Sequence, residues 1–188
     1  SQGYGLNPPA VGVDFFEGPY QDADSLDNPL TLDFSDAVDS LGIPYRGIGI
    51  GYGDGVADNE RFGMRRFVYY NNSGDPINGE PTTPVHYYNY MNGVWKNGQK
   101  MTYGGQGISD SETECDYMFP GDTDPNAWGT GGINVDPWTE QTAGNPSADR
   151  RFIQAAGPFT LEPGDYNNIT MGVVWARATA GEPFESVK

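Results

Sequence analysis

The chain is poor in the side chains that most often carry catalysis or soft-metal chemistry. Its 188 residues hold one cysteine, Cys115, and one histidine, His86. A lone thiol forms no intrachain disulfide, and it reads as a small buried hydrophobe rather than a nucleophile. A lone histidine excludes His-rich zinc sites and leaves a Ser-His-Asp arrangement without local support. No G-x-S-x-G elbow, H-E-x-x-H helix or phosphate-cradling P-loop is present. His86 follows Pro84 at the start of a predicted helix, where it reads as a surface or capping residue. Bases are scarce as well, 10 against 26 acids, for a net charge of −16. Such a surface repels nucleic acid and anionic membrane, so neither is expected as a partner. No apolar run approaches the ~18 residues that a spanning helix needs, so membrane insertion is not expected either.

What the chain has in plenty is backbone punctuation: 27 glycines and 15 prolines. That many breakers cannot sit inside helices, so turns and short strands must dominate. Nine Phe, twelve Tyr and four Trp supply the apolar area for a real core. The length suits one large domain, and residues 1–188 are read as a single β-rich domain. The abrupt ends suggest a piece of a longer protein.

The acids are unevenly spread. Residues 1–60 carry eleven carboxylates, Asp14 through Glu60, against Arg46 alone. From Asp14 to Asp39 the carboxylates recur without i, i+4 bases, and Pro19 and Pro29 break any helix. This is a long oxygen-studded loop of the kind that needs a ligand or a function to order it. Gly49 to Asn72 then packs Asp54, Asp58 and Glu60 into a turn loosened by Gly51, Gly53 and Gly55. Calcium takes 6–8 oxygens from carboxylates, carbonyls and water. Asp54, Asp58 and Glu60, with Asp22, Asp24 and Asp27, are therefore the candidate metal ligands, and Ca²⁺ is the expected ion. Their spacing does not match an EF-hand, and a plain polar hairpin loop is the competing account.

Beyond that turn, Phe62 to Tyr70 reads as a strand with Phe62, Met64, Val68 and Tyr70 on one face. After Pro84, Tyr87, Tyr88, Met91, Val94 and Trp95 fall at helical spacing, a stripe read as core. Asn92-Gly93 is its expected end, and Asn97-Gly98 a hairpin-like turn. Asp122 and Asp124 read as an ordinary turn. Arg151–Ala156 is a strand, and Phe159–Leu161 begins another. Ile169 to Ala176 is apolar at alternate and intervening positions, the pattern of a strand buried on both sides. The expected fold is all-β, a mainly antiparallel β-sandwich with long Gly/Asp-rich loops and one short helix. Uneven strand spacing argues against a closed barrel.

Several stretches carry a resemblance: DFFEGPYQDAD, GYGDGVADNERFGMRRFVYYNN, YYNYMNGVW, MTYGG, YMFPGDTDP, DRRF and AGPFTLEPGD with ITMGVVWARA. Together they resemble a module of large secreted Bacteroidetes proteins exported by the type IX secretion system, over about residues 13–187. The resemblance implies an extracellular or cell-surface location rather than a reaction. It also implies acidic loops that bind calcium, here Asp54, Asp58 and Glu60, and O-glycosylation at Asp24-Ser25-Leu26 and Asp39-Ser40-Leu41. The sorting domain of such proteins is not in this chain. The leading expectation is thus a structural or adhesive module, part of a surface fibre. Its partners would be other domains of the parent protein or neighbouring subunits. The competing one is a glycan-binding module or a carboxylate-dependent glycoside hydrolase, with Trp95, Trp128 and Trp138 as stacking platforms.

Overall fold

The computed structural model describes residues 6–45, 49–182 and 185–187. Its regular elements are β1 (Ala10–Glu17), β2 (Arg66–Asn71), α1 (Pro84–Met91), β3 (Arg150–Ala155) and β4 (Thr170–Ala176). Short 3-10 turns add Trp128–Thr130 and Glu185–Val187. The chain is mainly strand and loop, with antiparallel pairing and one short helix, as its breakers dictate. β1 pairs with β4, from Ala10 opposite Ala176 to Phe15 opposite Met171, with a register shift before Glu17. β2 pairs with β3, from Arg66 opposite Ala155 to Asn71 opposite Arg150. Each pair is a two-stranded ribbon. The Gln154 carboxamide of β3 donates to the Val13 carbonyl of β1 at 2.8 Å, which ties the ribbons together.

The larger core lies behind β2. Val68 and Tyr70 of that strand meet Tyr90 of α1, with Trp95, Met101, Cys115, Met118 and Trp138 from the connecting loops. The Tyr90 and Trp95 rings meet edge to face at 5.7 Å, the geometry that aromatic quadrupoles favour. The buried donors are satisfied: Trp95 Nε1 reaches the Gly107 carbonyl at 2.8 Å, and Tyr90 Oη the Gly79 carbonyl at 2.6 Å. Gly107 is fixed by this contact. Its φ is +74°, and a Cβ there would lie 2.7 Å from Trp95 Cζ2. Cys115 is buried in this core. Desolvation, helped by nearby Glu114, pushes its thiol up to about 12.

The second core has almost no regular structure around it. Ala37, Tyr45, Tyr52, Phe62 and Trp128 close on one another, with Tyr45 and Tyr52 stacked at 4.6 Å. Burial raises the phenol pKa of both tyrosines.

Four expectations are corrected. The strand expected from Phe159 to Leu161 is irregular loop. The strand expected from Phe62 begins only at Arg66, because the backbone before it is spent on loops: Arg61 N–H bonds Ile50 and Phe62 N–H bonds Pro19. The aromatic stripe is not one helical face, and of its rings only Trp95 is core. Thr83 caps α1 and Pro84 opens it, yet it stops at Met91 with Asn92 as C-cap, so Val94 and Trp95 lie beyond it. Tyr87, Tyr88 and Met91 are exposed, and Tyr90 is the helix's buried ring. Finally β4, with apolar residues on both faces, is buried on neither. Met171, Val173, Val174 and Trp175 are 57–68 % exposed. β1 pairs along one edge of β4, and the two form a sheet of their own.

Candidate functional site

The acidic stretch folds as two loops latched to each other by carboxylates. Asp58 Oδ1 accepts the N–H groups of Asp24 and Ser25, at 2.7 and 2.8 Å. Asp27 takes Gly53 N–H on one oxygen and Gly55 N–H on the other, both at 2.7 Å. Glu60, 2 % exposed, accepts Asn28 N–H at 2.6 Å. Loop backbone has no ladder to pair with, so its N–H groups turn to side-chain acceptors, and ionised ones make the stronger bonds; of these amides that of Asn28 is buried. The glycines that loosen this turn are what let the amides of Gly53 and Gly55 point at Asp27.

The other contacts of these candidates lie elsewhere. Asp24 accepts Leu26 N–H at 2.9 Å, and Asn28 and Ser40 donate to its other oxygen. Its partial burial pushes the carboxyl pKa up, but those donors outweigh it and hold the group below the usual carboxylate range. Asp54 closes its own turn through Val56 N–H and the Asn59 carboxamide. Asp22 points away from the others and binds the N–H and hydroxyl of Thr160, both at 2.7 Å. Asp24, Asp27, Asp58 and Glu60 thus share one pair of loops, and Asp22 does not join them. Their oxygens aim at N–H donors rather than at a common point. Among the described residues no three His, Cys, Asp or Glu side chains form a group that could hold a metal ion. Asp124 behaves as the turn reading expects, accepting Trp128 and Gly129 N–H at 2.9 and 2.7 Å. His86 lies in the first turn of α1, where its ring meets Thr82.

The three stacking candidates are closed to a ligand. Trp95, Trp128 and Trp138 are 1 %, 6 % and 4 % exposed, and each belongs to one of the two cores. The open indole is Trp175, 66 % exposed on β4. It stands opposite Val11, and the pairs Val13–Val173 and Phe15–Met171 continue the same face. Side chains alternate across a strand, so these six share one surface, and none is polar. On the other face Phe16 lies over Gly172, where a Cβ would meet its ring at 2.3 Å. Asp14 adds a charge to that side. The signal for this surface was present in the sequence as the two-sided apolar run of β4, read there as burial.

Fold and site together define an acidic, loop-rich antiparallel β protein that presents a bare apolar ribbon. No family model, curated protein or solved structure matches the chain.

Proposed function

We propose that this chain is a structural, adhesive module of an extracellular or cell-surface protein, and that the β1–β4 ribbon is the surface it offers to neighbouring domains or subunits. The observation that carries the reading is the contrast in burial. Two closed cores leave the most apolar of the described strands uncovered, and contiguous exposed apolar surface marks interaction sites. The β-sandwich belongs to this proposal: the ribbon is one layer, and a partner supplies the layer that packs on it. The resemblance to exported Bacteroidetes proteins supports the outer location and a place in a surface fibre. An antibody to the chain that labels intact source cells is the expected result. Labelling only after lysis would overturn the location.

Calcium forms the second part of the proposal, with Asp24, Asp27, Asp58 and Glu60 as the protein's contribution. Both bonds to Asp58 fall on Oδ1, and the one to Glu60 falls on Oε1, so these two carboxylates keep an oxygen for a cation, whereas Asp24 and Asp27 already accept on both of theirs. An ion bound only by the folded chain stabilises it by RT ln(1+[L]/Kd). The test is thermal unfolding of the wild type and of a Val173→Thr, Trp175→Thr variant, each with calcium and with chelator. The expected outcome is a melt several degrees lower in chelator for both proteins, and a variant that melts close to the wild type. Equal melts with and without chelator would remove calcium. A collapsed variant would make the ribbon part of the module's own core and overturn the docking role.

A further inference from the structure

We infer that the occupant of the ribbon is a second copy of this chain, packed face to face through Val11, Val13, Phe15, Met171, Val173 and Trp175; this rests on the docking role proposed above and names its partner. The two faces of the ribbon differ. One carries these six apolar side chains and no charge. The other carries exposed Asp14 and two glycines, Gly12 and Gly172, beside exposed Phe16 and Val174. Val11, Met171, Val173 and Trp175 are 63 %, 57 %, 68 % and 66 % exposed. From side chains of that size this face leaves on the order of 500 Å² of apolar surface in water, at the upper end for a monomer's largest patch.

That area sets what can cover it. Two such faces stacked on one another remove roughly 1,000 Å², which is about where specific interfaces begin. Twisted ribbons stack with their strands about 30° apart, as sheets do in a sandwich. A two-fold axis passing near Val173 sets Trp175 of each copy over Met171 of the other, a thioether–aromatic contact. The net charge of −16 opposes bringing two copies together, and it equally disfavours an anionic membrane as the occupant. The contact itself contains no carboxylate, however, so the repulsion is long-ranged and screened by salt. The pairing therefore carries a signature: association strengthens as ionic strength rises. A basic partner seated on the acidic surface would show the reverse. An isologous contact also closes at two copies, so by itself it joins two parent chains and builds no filament.

The test is sedimentation velocity of the chain over a concentration series at low and moderate salt, with Trp emission recorded alongside. Trp175 is the exposed indole, so pairing shifts the emission to the blue as concentration rises. The wild type is expected to dimerise, more strongly at the higher salt. Val173→Lys, which charges this face, is expected to weaken the dimer at least tenfold. Val174→Lys, on the opposite face of the same strand, is expected to change it little. Equal losses from both variants would point to edge-to-edge strand pairing and overturn the face-to-face dimer. A wild type that stays monomeric at several hundred micromolar would overturn it too. The melts of both variants separate the two levels of failure. A monomeric wild type with wild-type-like melts for both lysine variants leaves the ribbon as a docking surface for another protein. Lysine variants that fail to fold sink the docking role itself.

Discussion

The acidic loops between Gly18 and Phe62 and the β1–β4 ribbon reverse the usual relation between regular structure and burial. The loops contain no strand or helix among the described residues, yet they enclose Ala37, Tyr45, Tyr52 and Phe62 at 0–5 % exposure. The ribbon is the longest ladder among the described residues, and most of its side chains stand in water, with Val13 and Phe15 half-buried. The difference lies in who satisfies the backbone. In the loops, carboxylates of Asp24, Asp27, Asp58 and Glu60 accept the amides that a ladder would have taken, which frees the chain to fold around a few rings. Arg61 does the same for carbonyls: its guanidinium donates to Gly18 and Asn168 and lies 3.9 Å over the Tyr20 ring. In the ribbon the hydrogen bonds are made between the two strands, and nothing in them requires either face to be covered. Backbone satisfaction and side-chain burial are separate problems, and the two regions solve different ones.

The sharpest way to break this comparison is a matched pair of tryptophan truncations. Trp128→Ala empties a place in the loop core and is expected to cost about 3–5 kcal/mol in urea unfolding. Trp175→Ala, measured at concentrations where the chain is monomeric, is expected to stay within about 0.5 kcal/mol of the wild type. Similar losses from both would mean that the ribbon is as much core as the loops.

A smaller effect probes the latch. Asp58 sits at φ +60°, in the left-handed region, and holds two amides on one oxygen. Asp58→Ala removes the acceptor and strains the backbone, and is expected to cost about 1–3 kcal/mol. Asp58→Asn keeps an Oδ1 and tolerates that φ, so it should lose clearly less. Equal losses in the two variants would locate the contribution in the charge rather than in the hydrogen bonds.

The smallest effect is a pH dependence confined to the loops. The hydrogen bonds on Asp24 outweigh its desolvation and depress its folded-state pKa, so protonation favours the unfolded chain. Its contribution is complete above the unfolded value of about 3.9 and is lost as pH falls through the lower folded value. Asp24→Asn should therefore flatten the acid limb of a stability–pH curve and leave the neutral region little changed. An acid limb identical in the two proteins would remove Asp24 from the latch.

Much of the architecture was legible because it rests on local chemistry. Pro84 and Asn92-Gly93 mark the helix ends, and β3 and β4 fall within a residue or two of their expected bounds. The acidic loops were legible as irregular, but their partners were not. Asp58 meets Asp24 and Asp22 meets Thr160 across 34 and 138 residues of chain, and no local pattern encodes that. The helical spacing runs on through Val94 and Trp95, because periodicity does not reveal where capping stops the helix. The exposure of the ribbon escapes the sequence for a different reason. A two-sided apolar strand states what its side chains require, and it cannot state that the cover comes from the same chain.

The pairing of β1 with β4 also bears on how the molecule comes together. Thr170 donates to Glu17 across 153 residues, so the ribbon closes nearly the whole length of the described chain. Closing so long a loop is entropically costly, and contacts of such separation slow folding. During synthesis β1 emerges first and waits, with Phe15 and Phe16 unpaired, until β4 has left the ribosome. The loop cores have most of their residues in hand long before that. The final event in assembly is thus the zipping of two distant strands, and Phe15 and Phe16 of β1 stay open to association with other chains until it happens.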